Sequence, residues 1–226
     1  MVHDNPQALA TPSPPALGSF YDRFVKRSAD ALIAGGLLIL LLPVLLRVWA
    51  AGVVVLGYPA FYFDRRAGRR GVPIVIGKFR SMSEAVDRDG VALSDAERLG
   101  GFGRFLRRTS LDELPQLLSV LTGDMSLIGP RPLPLRYVAR YNSRQIHRLD
   151  VRPGLTGLAQ VWGRNGIDWP ARLELDVRYV EGVSRWYAPL MDLGILGATI
   201  GVVVWQGLTG RGISGAGSVT MKEFEP

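Results

Sequence analysis

Residues 109–132 read TSLDELPQLLSVLTGDMSLIGPRP, and the organisation of the whole chain turns on them. Asp112 and Glu113 stand side by side ahead of a Pro-initiated apolar run; Asp124 follows, then a stiff Pro130-Arg131-Pro132 turn. Acids clustered near rigidly presented arginines suit chemistry on phosphates, where a metal ion and guanidinium groups share the negative charge. A plainer account fits the same residues. Ser110-Leu111-Asp112-Glu113 has the S-x-x-E spacing of a capping box, and acids in a first helical turn complement the macrodipole. Pro115 complicates that account, because a helix capped at Ser110 would lose a ladder bond there. A start near Leu114 makes Pro115 a first-turn proline and sets both acids just ahead of a helix N-terminus, where a phosphate docks. Both accounts remain open at this level.

Composition narrows the chemistry. The 226 residues suffice for one ordinary domain with appendages, and they contain no cysteine and only two histidines, His3 and His147. Thiol nucleophiles, disulfides and thiolate metal sites are excluded, and a His triad or His-rich zinc site is disfavoured. Carboxylates, hydroxyls, Lys, Arg or an oxygen-bound hard metal must supply any catalysis. A net charge of +7 points to an anionic partner: nucleic acid, an anionic bilayer or a phosphorylated substrate. The mean hydropathy of +0.15, high for a soluble basic protein, tilts that choice toward the bilayer.

Residues 1–18, rich in Pro and Ala without periodicity, read as a disordered tail lacking the pattern of a secretory signal. The aromatic and basic segment Phe20–Arg27 precedes an apolar run, the order of an interfacial anchor. Ala31–Leu46 and Val48–Phe63, separated by Arg47, carry no charge and are about 16 residues each. As helix each is roughly 24 Å, short of the ~30 Å hydrocarbon core. Residues 19–63 are therefore expected to form a membrane-anchoring hairpin kinked at Pro43, against the alternative of one tilted span. Arg23, Lys26 and Arg27 before it and Arg65, Arg66, Arg69 and Arg70 after it favour the re-entrant form, with both flanks cytoplasmic.

Residues 64–210 read as the globular domain and 211–226 as a loose tail. Val72–Gly77 is a predicted strand leading into Lys78 and Arg80, which alternation places on one face. Residues 98–108 form a basic, apolar-interleaved stretch suited to a membrane- or phosphate-facing helix. Arg136, Arg140, Arg144 and Arg148 recur every four residues, as in one solvated or anion-facing helical stripe. The Gly-rich turn Arg152–Gly157 and the segment Gly163-Arg164-Asn165-Gly166 offer close backbone approach to a ligand and two more guanidiniums. Leu193–Leu208 is another uncharged run, bracketed by aromatics and read as interfacial.

In order, KFRSM (78–82), TSLDELPQL (109–117), GDMSLIGPRPL (123–133), RPGLTGLAQVWGRN (152–165) and ELDVRYV (174–180) closely resemble the bacterial sugar transferase family. These are the small monotopic polyprenol-phosphate phosphoglycosyl transferases, and the resemblance runs from about Tyr21 to the C-terminus. It implies a mostly helical α/β, membrane-associated fold: a re-entrant helix, a small cytoplasmic catalytic domain with short strands, and interfacial amphipathic helices. It also implies the reaction, transfer of a sugar-1-phosphate from a UDP-sugar to polyprenol (undecaprenyl) phosphate with release of UMP, at the cytoplasmic face of a bacterial inner membrane. By that similarity Asp112 is the nucleophile, forming a covalent phosphosugar, and Glu113 holds Mg2+ against the diphosphate. Lys78, Arg80, Arg131, Arg152, Arg164 and Asn165 match positions suited to phosphates, and Asp124 and Asp176 match supporting acids. A departure falls at Leu42, where small family members often carry a Ser before the kink proline. A non-catalytic membrane-bound protein for UDP-sugar or polyprenol phosphate is the alternative, and the intact acid pair counts against it. Nucleic acid is not an expected partner; anionic lipid is, and self-association stays open.

Overall fold

The computed structural model describes residues 20–87, 89–91, 93–162, 167–209 and 223–224. The expected tails, 1–18 and 211–226, lie outside these apart from Glu223 and Phe224.

A π-helical segment, Tyr21–Lys26, runs directly into α1, Arg27–Leu56. Leu, Ala and Val dominate α1, and the helix continues across Pro43, which sits on its exposed side. The expected two-armed hairpin over 19–63 is therefore one helix followed by a strand, since Phe61–Phe63 belong to β1 (Phe61–Ala67). The bond lost at the proline falls where no packing depends on it. One stripe of α1 packs on the domain along its length. Ala34, Leu37 and Leu38 join the cluster of Leu117, Val120 and Met125, and Val44, Leu45 and Val48 join Phe79 and Leu106. The opposite stripe, including Leu32, Ile39, Leu40 and Val54, is exposed. Both ends are tied to the same domain. Near the start of α1, Arg27 donates to the carbonyls of Val120 and Leu121 at 2.8 and 2.7 Å. At the other end, Arg80 donates to the carbonyls of Leu56 and Gly57.

β1 pairs antiparallel with β2 (Pro73–Phe79), in a register that sets Tyr62 opposite Lys78. Then come α2 (Asp95–Arg98), α3 (Gly101–Thr109), a 3-10 turn (Leu111–Gln116), α4 (Leu117–Thr122) and β3 (Ser126–Ile128). β3 pairs in parallel with β4 (Gly154–Thr156), and α5 (Leu158–Trp162), α6 (Trp169–Val183) and α7 (Ala188–Thr209) follow. The architecture is mostly helical with a few short strands. The main core lies where α1, α4, β3, α6 and α7 meet, around Leu117, Met125, Ile128, Tyr179 and Ile195. Asp192 of α7 gathers Tyr21, Lys26 and Tyr179 at 2.7–2.9 Å, so the start of the anchor, α6 and α7 are fixed to one another by a satisfied buried polar knot.

Two expectations fail here. The four-residue arginine spacing is not one helix but two 3-10 segments, Leu135–Arg140 and Gln145–Leu149. Asn142 breaks it, its side-chain oxygen accepting from the Arg144 and Gln145 amides. The arginines consequently diverge: Arg136 meets Glu223, Arg144 meets Glu174 and Glu181, and Arg148 is buried. At the C-terminal end Phe224 is not loose; it fills an aromatic cluster with Tyr137, Tyr141 and Trp169.

Candidate active site

α3 ends at Ser110, whose left-handed backbone (φ 55) closes the helix and starts the 3-10 turn that carries Asp112 and Glu113. Ser110 makes no side-chain cap, and Pro115 lies inside the turn rather than opening α4. Neither helical account of the acid pair holds. The S-x-x-E capping box of this chain is Ser94–Glu97, at the start of α2.

Three distant segments converge on Glu113. Its Oε1 accepts from Lys78 Nζ at 2.7 Å, out of β2, and from Arg131 Nη2 at 2.6 Å, out of the Pro-Arg-Pro turn. Burial alone would raise the Glu113 carboxyl, but the Arg131 and Lys78 charges overcome it and hold it well below the usual carboxylate range. Burial lowers the Lys78 ammonium, with Glu113 opposing. Asp112 differs from its neighbour. It takes no side-chain hydrogen bond among the described residues, and burial, then the Glu113 charge, push its carboxyl above the ordinary value, with Lys78, Arg107 and Arg131 offsetting in part. One acid is clamped and the other, among the described residues, is not, which is how two adjacent carboxylates acquire different roles.

The Pro-Arg-Pro turn is held from behind. Arg148, 2% exposed, donates to the Arg131 carbonyl at 2.7 Å and to Asp176 Oδ2 at 2.7 and 3.1 Å. Asp176 thus reaches the site through Arg148 and the Arg131 backbone. From the other side the glycines of two motifs cross. Gly129 N donates to the Thr156 carbonyl at 2.9 Å and Gly154 N to the Pro130 carbonyl at 2.9 Å. A Cβ on Gly154 would stand 2.1 Å from Gly129 N. These glycines permit backbone to meet backbone, not backbone to meet ligand as the sequence suggested.

Of the residues singled out from sequence, Asp112, Glu113, Lys78 and Arg131 come together and Asp176 backs them. Arg80 does not join. It caps the carbonyl end of α1 and pairs with Glu84, where a cation complements the helix C-terminus. Arg152 donates to the Gly123 carbonyl at 3.0 Å, and Asp124 accepts from Thr122 at 3.0 Å, both off the acid pair. Arg164 and Asn165 lie outside the described residues. Sequence reading missed the roles of Arg148, hidden in a spacing it shares with Arg144, and of Arg107. The latter donates to Ser81 Oγ at 3.1 Å and faces Asp112.

Mg2+ is the metal that the resemblance implies. Glu113 fits it: its Oε2 has no bonded partner among the described residues, and Mg2+ commonly takes one or two carboxylates together with substrate phosphates and water.

The bacterial sugar transferase family model matches residues 21–206. The chain is 41% identical to the uncharacterized sugar transferase EpsL of Bacillus subtilis over 200 residues, 88% of this chain and 95% of that protein. It is 39% identical to the undecaprenyl-phosphate galactose phosphotransferase of Salmonella typhimurium, over 80% of this chain and 41% of that protein. A UDP-glucose:undecaprenyl-phosphate glucose-1-phosphate transferase of Klebsiella pneumoniae is 38% identical, over 77% of this chain and 39% of the relative. The chain thus spans nearly all of the first and less than half of the other two. The match from Tyr21 through the anchor, the acid pair and α7 makes this chain a member of the bacterial sugar transferase family.

Proposed function

We propose that this protein transfers a sugar-1-phosphate from a UDP-sugar to undecaprenyl phosphate and releases UMP, using Asp112 as a covalent nucleophile. The observation that carries this is the division of labour in the acid pair: Glu113 is held by Lys78 and Arg131, while Asp112 beside it is unbonded among the described residues. The names of the Salmonella and Klebsiella relatives support the donor and acceptor classes.

Asp112 attacks the sugar-bearing phosphorus, and the bond from that phosphorus to the UMP oxygen breaks. A phosphate oxygen of undecaprenyl phosphate then attacks the same phosphorus, frees Asp112 and leaves the lipid diphosphate sugar. Each step needs cationic groups at the non-bridging oxygens, and the charges of Lys78, Arg107 and Arg131, which all act on Asp112, would supply them. Mg2+, held by Glu113, would offset the diphosphate charge. Arg148 and Asp176 position Arg131 without touching substrate.

The acceptor's lipid chain requires a bilayer at the site. Tyr21–Leu56 and Ala188–Thr209 are long and apolar enough to cross one by length and composition. Both ends of α1 nevertheless dock on one domain, and basic residues flank each end. This supports an α1 that enters from the cytoplasmic face of the inner membrane with its exposed stripe in lipid and leaves on the same side. UMP release from a panel of UDP-sugars, with undecaprenyl phosphate and Mg2+ in lipid nanodiscs, tests the reaction. Release by the native chain that Asp112→Asn abolishes is expected; an equally active Asp112→Asn would overturn the assignment.

A further inference from the structure

We propose that Glu223-Phe224 is a positioning element of the active site. Seated against α6 and the first of the 3-10 segments, it steadies the two supports from which Arg131 is presented, so that turnover depends on its being seated. This rests on the reaction given above and adds a pair of residues, remote in the chain, on which its rate depends.

The seat is built from side chains of three segments. Phe224 is 2% exposed. Its ring centroid lies 5.6 Å from that of Tyr137, edge-on, 5.5 Å from that of Trp169 and 6.0 Å from that of Tyr141. Leu133 and Leu173 complete the cluster. Rings at such separations and tilts attract one another beyond the area they bury. The backbone is held as well: Phe224 N donates to the Tyr137 hydroxyl at 3.2 Å, and the Phe224 carbonyl accepts from Arg140. Glu223 meets Arg136 at 3.0 Å and Arg140 at 3.1 Å. Exposed ion pairs of this kind contribute little, so the ring supplies the hold and the charges orient the segment.

Two routes lead from the seat to the Pro-Arg-Pro turn. Leu133, a member of the cluster, follows Arg131-Pro132 directly, and the fixed φ of the proline passes a shift of Leu133 on to Arg131. The second route runs through Tyr141. Its ring faces Phe224, and its hydroxyl accepts from Arg148 Nη1 at 3.1 Å. Arg148 in turn donates to the Arg131 carbonyl at 2.7 Å, and the Arg131 guanidinium reaches Glu113 at 2.6 Å. Loss of the Phe224 ring would leave a void against both Leu133 and Tyr141, and such a void is only partly closed by relaxation of its walls. An ordinary core contact serves stability alone. This one touches both supports of a single site cation.

UMP release by the full chain in nanodiscs, followed against pH, tests the role. Phe224→Ala should lower kcat roughly fivefold, as a small misplacement of a site group does. It should also move the acid limb to higher pH, because a displaced Arg131 lowers the Asp112 carboxyl less. Phe224→Leu should keep most of the rate. A peptide of residues 218–226, added at about 1 mM to Phe224→Ala, should restore kcat, whereas the same peptide carrying Phe224→Ala should not. Native kcat and an unmoved limb in Phe224→Ala, whatever its unfolding temperature, would make the contact structural only and overturn the proposal. So would a loss that neither Phe224→Leu nor the peptide recovers. Glu223→Gln/Arg140→Gln leaves every ring in place and covers the case in which Phe224→Ala does not fold. A smaller fall in kcat with the same movement of the limb is then expected, and native behaviour would overturn the proposal. A native chain that releases UMP while these variants match it sinks the positioning role alone. One that releases UMP from no donor sinks the underlying reaction and the positioning role with it.

Discussion

Arg148 donates to the Arg131 carbonyl at 2.7 Å while the Arg131 guanidinium reaches Glu113 at 2.6 Å. A buried ion pair, Arg148 with Asp176, thereby sets the backbone from which a site cation projects. Removing one partner of such a pair strands the other charge, at about 3–5 kcal/mol. Asp176→Ala should lower the unfolding temperature and also the rate of UMP release. The double variant Arg148→Met/Asp176→Leu should recover much of the stability, since apolar replacement of a buried pair is often neutral. It should not recover the rate, because the Arg131 carbonyl then has no donor. A double variant with native turnover would show that the pair is only structural.

The acid limb of the pH–rate profile belongs to Asp112. Burial and Glu113 raise its carboxyl, and only the ionised form attacks, so kcat/KM should fall as pH drops through a value above the ordinary aspartate range of about 4. Lys78 lowers that carboxyl, so Lys78→Met should move the limb to higher pH as well as slow the reaction. A limb at or below about 4, unmoved in Lys78→Met, would contradict the assignment.

The crossing of Gly129 and Gly154 admits no side chain. Gly154→Ala places a methyl against backbone rather than against a movable side chain. A loss of about 3 kcal/mol is expected, read as a lowered unfolding temperature, with UMP release reduced through the displaced Pro-Arg-Pro turn. Native stability and activity in Gly154→Ala would mean that the two motifs do not lock one another.

The chain has no cysteine, so single introduced thiols report topology without background. Arg23→Cys and Tyr58→Cys, at the two ends of the anchor, should both react with an impermeant maleimide in inside-out vesicles and neither in right-side-out vesicles. Labelling of one in each preparation would establish a span instead.

Much of this was legible in the chain. Asp112, Glu113, Lys78 and Arg131 lie in motifs whose local composition sets them apart, and the structure brings them into one cluster. The apolar anchor was equally plain. What stayed hidden depends on tertiary partners. Arg80 and Arg152 resemble phosphate ligands in sequence, yet backbone carbonyls at the C-terminal ends of α1 and α4 claim them. Arg148 differs from Arg144 only by what folds over it, and the four-residue spacing of both misread two 3-10 segments as a helix. Pro43 announces a break that a thirty-residue helix absorbs on its exposed side.

Intact-protein mass spectrometry of the native chain and of Asp112→Asn, with Mg2+ and a panel of UDP-sugars and no undecaprenyl phosphate, bears most directly on the central claim. An increase of one sugar-phosphate mass in the native chain, absent from Asp112→Asn and discharged when undecaprenyl phosphate is added, is the expected result. Turnover with that acceptor but no adduct under any donor, or the same adduct on Asp112→Asn, would contradict a covalent route through Asp112.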